Sequence, residues 1–219
     1  MKKTFIFFIL FAAILPMLHA EKTASAPKKI TSIVRVYHWS TAKNVWYEDQ
    51  VIKTFVELFD NNGRLVQKDL TDGKEGLLER TILSYSGNTI KKTFYNNRNA
   101  IIRTAVVDIQ DNIHTEIVRR TDGRIMFQYV TFFDQKGNII KIEQKDANGS
   151  LLFKKVYLYD NGGNCIAIQN ENPDGSVAVE ITYQYEKFDN DGNWLSRKEL
   201  YSYGDVYNRP HEQVHRTIE

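Results

Sequence analysis

The run His211-Glu212-Gln213-Val214-His215 is the one stretch of this chain whose residue types and spacing match a catalytic arrangement. On a helix, an H-E-x-x-H spacing puts two imidazoles on one face, where they can hold zinc. The glutamate then acts as general base for a metal-bound water. Asn208 and Pro210 could start such a helix. Only Arg216, Thr217, Ile218 and Glu219 follow in this sequence, so no third ligand is expected downstream. Read as a strand, the same residues set His211, His215, Thr217 and Glu219 on one face, with the histidines too far apart to share one ion. Three readings result: a zinc-dependent hydrolase using His211, Glu212 and His215, a two-histidine metal site without catalysis, and a plain final strand.

Other chemistry is sparse. Asp189-Asn190-Asp191-Gly192 resembles part of an EF-hand loop, but aligning Gly192 on the obligatory glycine puts Lys187 and Lys198 where carboxylates must ligate calcium. A hairpin turn is the stronger reading. There is no G-x-S-x-G elbow and no glycine-rich nucleotide cradle, so no catalytic residues and no cofactor are assigned. The single cysteine, Cys165, excludes an intramolecular disulfide and reads as a small buried residue opening a strand. Aromatics are plentiful: Trp39, Trp46, Tyr47, Trp194, Tyr201 and Tyr203, with Tyr37 and Tyr207, fall toward the two ends of the chain. Their ordinary role in a sheet is cross-strand packing. Their functional role would be an exposed strip that stacks on sugars or grips a protein.

The elements that must position these residues are strands. Apolar and aromatic residues alternate with polar ones, as in Phe153/Tyr157/Tyr159 and Ile181/Tyr183/Tyr185. Turn signatures recur about every thirteen residues. The fullest are Phe59-Asp60-Asn61-Asn62-Gly63, Phe133-Asp134-Gln135-Lys136-Gly137-Asn138, Tyr159-Asp160-Asn161-Gly162-Gly163-Asn164 and Phe188-Asp189-Asn190-Asp191-Gly192-Asn193. Plainer turns such as Asp72-Gly73, Asp122-Gly123 and Asp174-Gly175 lie between them. Asp and Asn bond their own backbone, and glycine takes positive φ freely, so Gly63, Gly137, Gly163 and Gly192 are read as structural turn residues of two-residue hairpins. Two strands and their turns make a unit of about 25 residues, which cannot bury its face alone and must pair with its neighbours.

The Tyr157-Leu158-Tyr159-Asp160-…-Gly163-Asn164 and Phe188-Asp189-…-Gly192-Asn193-Trp194 units resemble the tyrosine–aspartate (YD, or RHS-type) repeats of bacterial exported proteins. The similarity covers most of residues 50–205. It implies a ribbon of β-hairpins, which in large members curls into a shell around a cargo. This chain has too few units to enclose a domain, and Tyr95-Asn96-Asn97-Arg98-Asn99 drifts from the pattern by lacking Asp and Gly.

Residues 1–20 read as a signal peptide, with Lys2 and Lys3, an apolar run from Phe5 to Leu15, and Leu18-His19-Ala20 before the cut. No transmembrane anchor is then expected after cleavage, and the compartment is periplasmic, cell-surface or secreted. Without Lys2 and Lys3 the 29 basic and 27 acidic residues become 27 of each, which argues against a nucleic-acid partner. Residues 21–29 read as a flexible leader and residues 30–219 as one β-hairpin repeat domain.

The expected fold is all-β, an elongated, curled antiparallel sheet of repeated hairpins. An open sheet has two edges. Its weakly charged first strand, Ile30 to Trp39, should be covered by the leader, by its own concave face, or by a partner through strand addition, which makes strand-edge homo-association an expectation. The expected function is a non-enzymatic exported structural or binding module acting on a protein or glycan in the cell envelope, with the zinc hydrolase as the alternative.

Overall fold

Period-two alternation and Asp/Gly turns build the antiparallel hairpins that the sequence describes, and the hairpin series then closes on itself. The computed structural model describes residues 27–40 and 42–219. Its fourteen strands are β1 (Lys29–Ser40), β2 (Val45–Phe59), β3 (Leu65–Asp72), β4 (Leu77–Ser86), β5 (Thr89–Asn96), β6 (Ile101–Gln110) and β7 (Ile113–Arg120), then β8 (Ile125–Phe133), β9 (Ile139–Lys145), β10 (Leu151–Tyr159), β11 (Cys165–Glu171), β12 (Val177–Phe188), β13 (Trp194–Tyr203) and β14 (Val206–Ile218). Each pairs with its neighbours in sequence. β1 also pairs with β14, from Ile30↔Ile218 to Val36↔Glu212, which makes a closed barrel.

The expected open, curled sheet is thus corrected to a barrel. Closure pairs the backbone groups that an open ribbon leaves bare. The first strand's edge is covered by β14 from Ile30 to Val36, so the edge on which homo-association was expected is already paired there. The segment expected to be a signal peptide and most of the expected leader lie outside the described residues. Lys28 and Lys29, read as the end of the leader, belong to the seam: both backbone N–H groups donate to the Glu219 carbonyl, at 2.8 and 3.2 Å.

Connections alternate between two rims, a base carrying Lys29 and Glu219 and a crown opposite. All four full aromatic–Asp turns lie at the base. Each is a five-residue connection with a bulge, as between Phe59 and Leu65 or Phe188 and Trp194. The two-residue form expected from the sequence occurs only at Ser86–Thr89, Gln110–Ile113 and Tyr203–Val206 among the described turns. The Asp carboxylate sets the longer turn. Asp134 Oδ1 accepts from the Lys136 and Asn138 N–H groups, both at 2.8 Å, and Asp189 Oδ1 accepts in the same way from Asp191 and Asn193. Gly137 and Gly192 stand at φ 81 and 83, as a left-handed turn requires. Glu75 takes the equivalent position at φ 64, which costs a side-chain-bearing residue about 1–2 kcal/mol.

A second device recurs at the base. Tyr85, Tyr159 and Tyr185 each donate a 2.7 Å hydrogen bond to the carbonyl of the residue twenty positions earlier, Leu65, Ile139 and Cys165. Those three residues open the strand that follows a bulged turn, so each tyrosine ties a turn to the next unit.

The two faces of the wall differ. Leu83, Lys92, Ala105 and Val118 are paired across β4 to β7 and at most 7 % exposed, which makes theirs the inner face. Several charges on this face are paired: Lys92 with Glu116 at 2.7 Å, Arg103 with Glu79 at 2.7 Å, and Arg197 with Glu199 at 2.9 Å. The outer face carries Asp69–Arg80, Lys141–Glu143–Lys145 and Lys154–Glu171 ion pairs between partly exposed aliphatic residues such as Ile102, Val106 and Leu158.

The closing seam is bolted from outside. Gln213 on β14 is 1 % exposed although it points outward. Its Nε2 donates to Glu186 and Ser196, each at 2.8 Å, and its Oε1 accepts from the Tyr37 hydroxyl at 2.6 Å. Lys198 salt-bridges Glu186 at 2.8 Å and holds that carboxyl below its ordinary range. The network joins β12, β13, β14 and β1, the strands that must meet for the barrel to close.

Candidate functional site

The crown is not level. β1, β2 and β14 have 12, 15 and 13 residues against 7 in β9 and β11, so one side of the wall stands taller. Pairing between β1 and β14 stops at Val36↔Glu212, while β1 and β2 stay paired as far as Ser40↔Val45. Two hairpin tips, β1–β2 and β13–β14, therefore separate above that point. Register shifts at Arg35 and Tyr37 twist the first tip away from the straight ladder. Between the tips lies a cleft of about 420 Å³ lined by Val36, Tyr37, His38, Gln50, Ile52, Tyr201, Tyr203, Arg209, Pro210 and His211.

Five of the six candidate aromatics gather on these tips. Trp39 and Trp46 face each other across the β1–β2 pair with ring centroids 5.5 Å apart, and Tyr47 lies beside His38 at 6.4 Å. Tyr201 stacks on His211, 4.2 Å between centroids and 11° between planes. The Arg209 guanidinium sits 5.0 Å over the Trp46 ring and bridges the two tips. Trp39, Tyr47 and Tyr203 are 43–45 % exposed and Tyr207 is 76 % exposed, so this rim presents ring faces to solvent.

Trp194 does not belong with them. It opens β13 at the base, packs on Tyr185 at 6.0 Å, and lies under the guanidinium groups of Arg197 and Arg216 at 4.5 and 4.2 Å. Its packing is the ordinary cross-strand role. The repeat held the signal that separates it: Trp194 follows its turn as Leu65 and Ile139 follow theirs, and of those Leu65 is buried and Ile139 half-buried.

The H-E-x-x-H residues lie in β14, an extended strand, so the helical face needed to bring both imidazoles onto one zinc is not formed. His211 stacks on Tyr201, whereas His215 Nε2 lies 3.1 Å from Glu48 Oε1. Glu212 faces inward and salt-bridges Lys53 at 3.2 Å. Among the described residues no group of three His, Cys, Asp or Glu is arranged to hold a metal ion. Cys165 opens β11 as expected, and burial pushes its thiol up to about 11, which leaves it unreactive at neutral pH.

No family model matches the chain, and no curated protein matches it. Solved structures do. A porin-like protein from Bacteroides uniformis ATCC 8492 aligns over 89 % of this chain and 97 % of its own at 16 % identity, with a TM-score of 0.53. The barrel fold is shared. A porin-like protein from Bacteroides vulgatus ATCC 8482 aligns over 90 % and 99 % at 14 % identity, with a TM-score of 0.46.

Sequence reasoning missed Arg209, His38, Gln50 and Ile52, which line or bridge the cleft. Arg209 and His38 are adjacent in sequence to cleft or tip residues, but nothing in their spacing says that the first and last hairpins are neighbours.

Proposed function

We propose that the chain is an exported, non-enzymatic binding module of the cell envelope whose crown cleft takes a protein or glycan ligand. The observation that carries this reading is a cleft between two hairpin tips from opposite ends of the sequence, lined by Tyr37, Tyr201 and Tyr203, with Trp39, Trp46 and Tyr47 on the tip beside it. A volume of about 420 Å³ lies in the usual range of ligand sites, and ring faces with a few polar groups are the usual lining. Export rests on the residue 1–20 pattern, and the fold shared with a porin-like protein fits an envelope location.

The barrel is not read as a pore. A lipid-facing Arg or Lys costs about 2–4 kcal/mol near the bilayer midplane. Here Arg80, Lys141, Lys145 and Lys154 all lie on the outer wall. Strands such as β9 and β11, with 7 residues, are also shorter than the roughly 9–11 needed to span.

A glycan array and an envelope-extract pulldown, run with mature protein and with a Tyr47→Ala/Tyr203→Ala variant, test the reading. Ligand retained by the first and lost by the second is expected. Equal retention by both places the binding surface elsewhere. Stoichiometric zinc lost on His211→Ala/His215→Ala would restore the hydrolase alternative.

A further inference from the structure

Resting on that cleft, we propose that its ligand is a carboxylate-bearing saccharide, with the sugar acid held by Arg209 and the pyranose ring laid against the aromatic tips. Arg209 is exposed, its guanidinium lies over the Trp46 ring, and among the described residues it has no carboxylate partner. A guanidinium placed 5.0 Å over an indole leaves N–H groups free toward solvent, which suits bidentate capture of a carboxylate. His38 and His211 flank the same cleft and add donors. Tyr203, on the same hairpin as His211 and 43 % exposed, offers an apolar, electron-rich surface of the kind that packs against the C–H face of a sugar ring.

A peptide added as a strand fits less well. Only Tyr37 to Ser40 of β1 rise above the closed seam, and the register shifts at Arg35 and Tyr37 twist that short edge out of ladder geometry. A neutral glycan would leave the guanidinium without a partner in a cleft that otherwise orients it.

Isothermal titration of the mature protein with trigalacturonic acid, its methyl ester and a poly-glutamate peptide tests this, with Arg209→Gln and Tyr203→Ala variants. Arg124→Gln, in the β7–β8 turn of the same rim, serves as a surface-charge control. The acid should bind at least about tenfold more tightly than the ester, the preference expected for a charge-assisted bidentate contact. Arg209→Gln should remove that preference, Tyr203→Ala should weaken both sugars, and Arg124→Gln should change neither. Ester binding as tight as the acid, and lost on Tyr203→Ala, overturns the acid selectivity while the cleft reading stands. Poly-glutamate binding tighter than the sugar overturns the saccharide. Absence of binding by all three probes overturns the inference.

Discussion

Replacing Glu116 with leucine should lower stability by about 3–5 kcal/mol, because it strands a buried ammonium group. Lys92 is 7 % exposed and paired across the wall with Leu83 and Ala105, so apolar neighbours surround the aliphatic part of its side chain. Its Nζ lies 2.7 Å from Glu116 Oε2. His114 lies on the same face, where burial and then the Lys92 charge lower its pKa, so the neutral imidazole brings no negative charge to replace the carboxylate. In a domain of this size the loss corresponds to a fall in Tm of about 10 °C. The double variant Lys92→Met/Glu116→Leu should regain most of it, since an apolar pair of similar volume removes the desolvation cost of both charges. Thermal melts of the three proteins check the cycle. A single variant as stable as the parent would mean that Lys92 reaches solvent.

Gly73→Ala should be nearly as damaging, by about 3 kcal/mol, the upper end for overpacking. Gly73 does not need a left-handed backbone; it needs space. A Cβ there would run into the Val51 carbonyl oxygen, with the carbonyl carbon at 3.0 Å, and both are backbone atoms of β2. Val51 is where β1 and β2 slip register, and the next residues on either side, Gln50 and Ile52, line the crown cleft. The substitution should therefore weaken ligand binding although Gly73 does not line the cleft. Gly137→Ala provides the contrast. A Cβ at Gly137 meets nothing within 4 Å, and only its φ of 81 is strained, at about 1–2 kcal/mol. It should lose stability and keep binding. Equal effects on binding would show that the β2 bulge does not shape the cleft.

Much of the wall was legible in the sequence, and its closure was not. Alternation in Ile181/Tyr183/Tyr185 and the carboxylate-set turns at Asp134 and Asp189 are local signals, decided by side-chain period and backbone chemistry within a few residues. Closure depends on Ile30 meeting Ile218 and Val34 meeting Val214, a pairing between the ends of the chain that no local pattern encodes. The strand that makes this pairing also contains Pro210 and the H-E-x-x-H spacing, so its residues could be read as a helix. The same fact explains the site. Trp39 and Tyr203 looked like separate clusters because they are far apart in sequence, and they became one rim only when the first and last hairpins came side by side. Gly73 looked like an ordinary turn glycine because its constraint is a β2 carbonyl twenty-two residues upstream.

On the proposed function, the barrel keeps its outer wall in water and binds its ligand at the crown. Flotation of detergent-free mature protein with phosphatidylcholine/phosphatidylglycerol vesicles tests it most directly. The protein should stay in the aqueous fraction, because Arg80, Lys141, Lys145 and Lys154 would each be drawn into hydrocarbon on insertion. Co-flotation that survives high salt and alkaline carbonate would contradict the account.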